Sequence, residues 1–166
     1  GGEFAVLSTF LRLLKDNKLP RNKVVWGEGM GCSSRFPYFV NTYGVHFIHG
    51  RPLPFATGLA RSRPDLHVFV FAGDGDTFSI GGNHFSHAGR RNANMTFIVM
   101  DNFIYGLTKK QTSPTTPMGM KTKTDPMGVR DHPVNPMRNI LTAGATFVAR
   151  TSSRKPNHVY DMLELA

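Results

Sequence analysis

Val68-Phe69-Val70-Phe71-Ala72-Gly73-Asp74-Gly75-Asp76 runs apolar without a break and then turns on glycine and carboxylate. An apolar run with no polar alternation, closed by glycine, is the pattern of a strand covered on both faces. Downstream, Met95-Thr96-Phe97-Ile98-Val99-Met100 repeats the pattern and ends in Asp101-Asn102. Between the two, Gly81-Gly82-Asn83 opens a helix reaching about Arg90, and Arg91-Asn92-Ala93-Asn94 turns the chain back. Strand, helix and strand in that order predict a right-handed crossover between neighbouring parallel strands. Asp74 and Asn102 then leave the same edge of one sheet.

Outward from this unit the alternation continues. Phe4, Leu7, Leu11 and Leu14 recur at three- and four-residue steps, so residues 3–16 read as an amphipathic helix, stopped by Lys18-Leu19-Pro20. Lys23-Val24-Val25-Trp26 reads as a short strand emptying into Gly27-Glu28-Gly29-Met30-Gly31. His49-Gly50-Arg51 leads into a helix through Ala60, whose prolines fall in the first turn, where no amide bond is lost. Asn135-Pro136 is a cap and first-turn pair for a helix through Ala143, Thr146-Phe147-Val148-Ala149 reads as a last strand, and a closing helix follows from Pro156. Residues 101–134 form a long Thr-, Pro-, Gly- and Lys-rich connection with little periodicity, a length that usually carries function. The expectation is one α/β domain over 1–166 with a mostly parallel sheet flanked by helices. Ligands in such sheets sit beyond the carboxyl ends of strands, where Gly27, Gly73 and Asp101 fall.

Composition narrows the function. Twenty Lys and Arg against eleven Asp and Glu give a formal charge of +9, yet the cations are scattered and accompany no nucleic-acid motif. An anionic cofactor, an acidic protein partner or a solvated basic surface accounts for the excess equally well. No apolar run approaches bilayer length and no signal pattern opens the chain, so neither nucleic acid nor membrane is an expected partner and a cytoplasmic location is. The first residues, Gly1-Gly2-Glu3-Phe4, lack a methionine, as in a processed or excised piece. Cys32 is the single cysteine, which excludes an internal disulfide.

The paired turns suggest a cation and a diphosphate. Mg2+ takes near-octahedral oxygen coordination and keeps phosphate oxygens and water among its ligands. Asp74 offers a carboxylate, Asn102 an amide oxygen and Ile104 a backbone carbonyl. Gly73 and Gly75 let main-chain N–H groups approach a phosphate with no Cβ in the way, and a helix starting near Gly81 would add its positive end. Gly-Asp-Gly after a strand is by itself a common turn; the ordered pair of turns is far more specific.

Gly73-Asp74-Gly75 followed by Asp101-Asn102 matches the thiamine diphosphate-binding motif of thiamine-dependent enzymes. Gly31-Cys32-Ser33-Ser34-Arg35-Phe36, Asn41-Thr42-Tyr43-Gly44, His49-Gly50-Arg51 and Phe78-Ser79-Ile80-Gly81-Gly82-Asn83-His84 narrow the likeness. With Asp101 through Thr108, Gln111 through Thr116 and Gly144 through Arg150, the chain resembles, along essentially its whole length, the beta subunit of 2-oxoacid:ferredoxin oxidoreductases, nearest the 2-oxoglutarate type. The resemblance implies a thiamine diphosphate-binding fold and a heterodimer with an alpha subunit. That heterodimer decarboxylates a 2-oxoacid onto coenzyme A and passes electrons to ferredoxin.

Carried over residue by residue, the resemblance makes Asp74, Asn102 and the Ile104 carbonyl the Mg2+ ligands. Gly73, Gly75, Asp76, Tyr105, Gly106, Leu107 and Thr108 line the diphosphate. Ser33, Ser34, His49, Gly50 and Arg51 lie about the cofactor's reactive end, and Cys32 counts among the cofactor-binding residues. His49 is the catalytic candidate, an imidazole able to stabilise developing negative charge; a hydrogen-bonded turn histidine is the competing reading. His84 and His87 read as a packed or solvated helix face. The family's [4Fe–4S] cluster needs four cysteines, and Cys32 alone cannot hold it. The chain therefore reads either as a fragment or as a degenerate form that keeps the pocket, with a non-catalytic thiamine diphosphate-binding piece as the alternative function.

Overall fold

The structure is a computed structural model describing residues 2–166. Four parallel strands, β1 (Val24–Glu28), β2 (Tyr43–His46), β3 (His67–Gly73) and β4 (Thr96–Met100), form a sheet in the order β2-β1-β3-β4. Helices α1 (Gly2–Asp16), α2 (Pro52–Ser62), α3 (Gly82–Arg91), α4 (Pro136–Ala143) and α5 (Pro156–Leu165) cover it. Within the long connection a two-residue ribbon, β5 (Ile104–Tyr105) and β6 (Gln111–Thr112), pairs antiparallel. The mostly parallel α/β architecture is the expected one.

The unbroken apolar run of β3 is explained by two cores. Phe69 and Phe71 enter one with Phe10 and Leu13 of α1 and Trp26 of β1; Val68 and Val70 enter the other with Leu53 and Ala56 of α2 and Phe85 of α3. The period of two sends alternate side chains to opposite faces, so a central strand needs apolar residues at both. Phe10 is fully buried, its ring centroid 4.3 Å from that of Trp26 and 4.6 Å from that of Phe69, both edge-on.

Register carries the fold to the site. Gly73 lies opposite Met100, so the residues that follow, Asp74 and Asp101, leave adjacent strands at one edge. Helical winding begins already at Asp74, passes through a π-turn at Asp76–Ile80, and continues into α3. The free N–H groups of a first turn thus lie at Asp74–Asp76 rather than near Gly81.

Two elements depart from the sequence expectation. Tyr43–His46 forms the edge strand β2; all four of its residues are exposed, so it carries no burial pattern to read. Thr146–Ala149 makes no ladder, and Thr146 is tied instead to Asn92, whose Nδ2 donates to its Oγ1 at 3.0 Å. β-propensity describes a residue on a paired, half-buried surface; Phe147 is exposed here and finds no strand to pair with.

Asn135 caps α4 as expected: its Oδ1 accepts from Arg138 N at 3.0 Å, with Pro136 in the first turn. Asn135→Ala is expected to cost about 1 kcal/mol, read as a lower urea midpoint with an unchanged slope.

Candidate functional site

The edge beyond β3 and β4 is organised by a buried carboxylate. Asp74 is 3 % exposed, and its Oδ2 accepts from the Ser113 hydroxyl and from Thr115 Oγ1 at 3.1 Å. The same Thr115 hydroxyl lies 2.8 Å from Asp101 Oδ1, so one proton serves two carboxylates. Burial pushes the Asp74 carboxyl up, the Ser113 hydroxyl draws it back, and the neighbouring Asp101 charge adds to the rise. Two acids this close, one of them buried, make a position where a cation is favoured.

Downstream the backbone folds back on itself twice. Asp101 Oδ1 accepts from Phe103 N at 3.0 Å, and Asn102 Oδ1 accepts from Ile104 N at 3.1 Å, successive side-chain turns that fix both oxygens. Phe103 sits between them at φ +66°, a conformation a bulky residue adopts only when its surroundings impose it. Thr116 Oγ1 donates to the Phe103 carbonyl and holds that turn against the 113–116 segment. Ser113→Ala removes a hydrogen bond to an acid and is expected to destabilise by about 1.5–3 kcal/mol in urea unfolding.

Glycines let these turns meet. A Cβ on Gly75 would overlap the Tyr105 ring, whose hydroxyl donates to the Gly75 carbonyl at 3.3 Å. A Cβ on Gly106 would lie 3.3 Å from Asn102 Nδ2 and 3.9 Å from Cys32 Sγ, and one on Gly73 would lie 3.4 Å from Ser33 Oγ. Cys32, Ser33, Gly73, Asp74, Gly75, Asn102, Ile104, Tyr105 and Gly106 therefore form one neighbourhood. Ser34 is buried beside it with a hydroxyl that has no partner. A cavity of about 350 Å³ has Tyr105 and Ser113 in its wall.

Asp76 turns inward. It is 2 % exposed, and its Oδ1 accepts from Gly50 N at 2.7 Å and Met30 N at 3.2 Å, with His49 Nδ1 at 2.8 Å. Burial raises its carboxyl, and those N–H groups and His49 pull it back. The His49 and Tyr105 rings are 5.9 Å apart, which joins this hub to the Asp74 neighbourhood. Arg51 directs its guanidinium at the Ile80 carbonyl, 3.3 Å away, and at those of His49 and Gly50. Leu107 and Thr108 stand on an exposed turn, and no side-chain hydrogen bond ties them to the cluster.

Sequence pattern alone assigns no role to Ser113, Thr115 or Thr116; the available signal is a Ser-Pro-Thr-Thr turn inside an otherwise featureless connection. Glu28 is a further residue that pattern leaves without a role. It is fully buried at the end of β1, Oε1 accepts from Phe36 N at 3.1 Å, and Oε2 has no hydrogen-bond partner, with His46 Nδ1 3.9 Å away. Burial pushes its carboxyl up to about 8 against the pull of the Phe36 N–H.

Among the described residues no three His, Cys, Asp or Glu side chains gather as a metal site. A cation at Asp74 would therefore draw on amide, carbonyl and ligand oxygens, the set suited to Mg2+ bound with a phosphate. No helix among the described residues is long and apolar enough to cross a membrane.

Residues 25–166 match the family model described as the thiamine pyrophosphate enzyme, C-terminal TPP binding domain. The chain is 50 % identical over 165 residues to a 2-oxoglutarate oxidoreductase subunit KorB of Mycobacterium tuberculosis, covering 99 % of this chain and 44 % of that one. It is 45 % identical over 154 residues to a 2-oxoglutarate synthase subunit KorB of Archaeoglobus fulgidus, covering 93 % and 57 %. Among solved structures, a 2-oxoglutarate:ferredoxin oxidoreductase from Magnetococcus marinus with 2-oxoglutarate, coenzyme A and succinyl-CoA bound superposes with a TM-score of 0.96 at 45 % identity. That match covers 98 % of this chain and 56 % of that one. The chain thus spans about half the length of the relatives it matches.

Proposed function

The chain belongs to the thiamine pyrophosphate enzymes through their C-terminal TPP binding domain, and we propose that it is the cofactor-anchoring core of a 2-oxoglutarate:ferredoxin oxidoreductase beta subunit. In the proposed reaction a 2-oxoacid and coenzyme A give acyl-CoA and CO2, and an electron pair passes to ferredoxin. An alpha subunit completes the active site. The carrying observation is the buried Asp74, clamped by Ser113 and Thr115 at a glycine-lined edge it shares with Asp101 and Asn102.

The residues present fit Mg2+ and a diphosphate. Asp74, Asn102 and the Ile104 carbonyl supply hard oxygens, and the first helical turn at Asp74–Asp76 supplies free N–H groups for an anion. Gly73, Gly75 and Gly106 keep Cβ atoms out of the space beside Ser33, Tyr105 and Cys32. Thiamine diphosphate, when bound, supplies a nucleophilic thiazolium carbon and an electron sink for decarboxylation. The chain's part is to orient and to manage protons. The Ser113 and Thr115 hydroxyls hold Asp74 in its ligating rotamer, Tyr105 closes over Gly75, and His49 faces developing negative charge. Leu107, Thr108 and Arg51 are assigned to the rim of the same site. The lone Cys32 favours a second reading, a thiamine diphosphate-binding piece that moves no electrons by itself.

Melting the chain with thiamine diphosphate and Mg2+ tests this reading. Saturation to about 100 times Kd adds about 2.7 kcal/mol and raises Tm by several degrees, with little effect of either component alone. An unchanged Tm at millimolar concentrations of both would overturn it.

A further inference from the structure

A single buried oxygen gathers two backbone donors and a ring nitrogen from two other turns. Asp76 Oδ1 receives the N–H groups of Met30 and Gly50 and faces His49 Nδ1 at 2.8 Å. Around it the packing leaves no slack. Gly29 lies so close that a Cβ there would overlap Asp76 Oδ2, and a Cβ on Gly81 would overlap the Asp76 carbonyl. Gly50 itself is at φ +73°, with Ile80 Cγ2 and Gly81 N within 2.7 Å of where its Cβ would stand. The carboxylate therefore has one seat, and the His49 ring is set against it. Nδ1 approaches Asp76 Oδ1 to 2.8 Å without hydrogen-bond alignment and has no hydrogen-bond partner elsewhere, so Asp76 is the nearest acceptor for a proton on it. Nδ1 is buried while the His49 side chain keeps 31 % exposure, so the open edge of the ring lies away from Nδ1.

We infer that Asp76 is the positioning residue for His49, holding the ring proton on Nδ1 and presenting Nε2 as the bare, accessible nitrogen. Asp76 Oδ1 already accepts from the Met30 and Gly50 amides, so it faces Nδ1 as an acceptor, and an acceptor there selects Nδ1–H. Nε2 is then free to take one proton. The resulting imidazolium donates Nε2–H to an oxygen developing negative charge, and giving up that proton returns the neutral ring with Nδ1–H still on Asp76. Asp76 acts through His49 and through the Met30 and Gly50 amides, among which its Oδ1 is buried. Relevance to catalysis rests on the thiamine diphosphate reading; the tautomer does not.

Nitrogen-15 NMR of histidine-labelled chain without cofactor reads the tautomer directly, with His49 assigned through His49→Gln. The expected result is about ten to one or more in favour of Nδ1–H in the neutral ring. Asp76→Asn, which keeps an oxygen for the two amides, should retain the fold while reducing that preference several-fold; Asp76→Ala should abolish it if the chain folds. Dominant Nε2–H in the wild type, or an unchanged ratio in a folded Asp76→Asn, overturns the assignment. Absence of a thiamine diphosphate melting shift alongside dominant Nδ1–H would instead remove the functional reading and leave the Asp76–His49 pair standing.

Discussion

Asp74→Ala is expected to weaken Mg2+-dependent thiamine diphosphate binding by at least about 100-fold while leaving the chain folded. Loss of groups that merely orient metal ligands already costs about 10–100-fold, and Asp74 is the proposed ligand itself. The fold should survive for a separate reason. Asp74 is a buried acid whose carboxyl is raised by burial and by Asp101, so removing it relieves an unfavourable charge even as Ser113 and Thr115 lose an acceptor. Calorimetric titration in Mg2+ separates the two effects: affinity falls while the melting curve of the unliganded chain stays cooperative. Undiminished affinity would place the cofactor elsewhere.

Glu28→Gln should change the pH dependence of stability strongly. In the folded chain Glu28 titrates near 8, against 4.5 for an unburied glutamate. Between those values the unfolded chain has released its proton and the folded chain has kept it. Stability therefore falls as pH rises through this window, by roughly 1.4 kcal/mol per pH unit from this group, and levels off above pH 8. A glutamine side chain keeps an oxygen for the Phe36 N–H and has no proton to lose, so the variant should gain on the wild type steadily through that window. Urea midpoints of both chains, measured from mildly acidic to mildly alkaline pH, give the difference directly. Parallel curves would mean that Glu28 is ionised when buried.

Much of the site was legible because it rests on strand ends. The run Val68–Ala72 had to be a doubly covered strand, and Met95–Met100 its neighbour, so Asp74 and Asn102 were bound to leave one edge once the crossover was right-handed. Local polar patterns were legible too, as Asn135-Pro136 shows at α4. Contacts made by side chains from the 101–134 connection were not. Ser113 and Thr115 reach Asp74 across 39 and 41 residues, and no periodicity encodes such a closure. The bonds from the Met30 and Gly50 amides to Asp76 were not legible either, since they depend on the winding that begins at Asp74. The exposed strand β2 and the unpaired Thr146–Ala149 fail in opposite directions, since pairing in both is decided by what lies alongside.

The anchoring of a metal–diphosphate pair at Asp74 is tested most directly with Mn2+ in place of Mg2+. Electron paramagnetic resonance of the chain with Mn2+ and thiamine diphosphate should show one bound ion per chain with phosphorus hyperfine coupling, and Asp74→Ala should return the ion to its free, aqueous signal. A bound ion without phosphorus coupling, or coupling that persists in Asp74→Ala, would contradict the account.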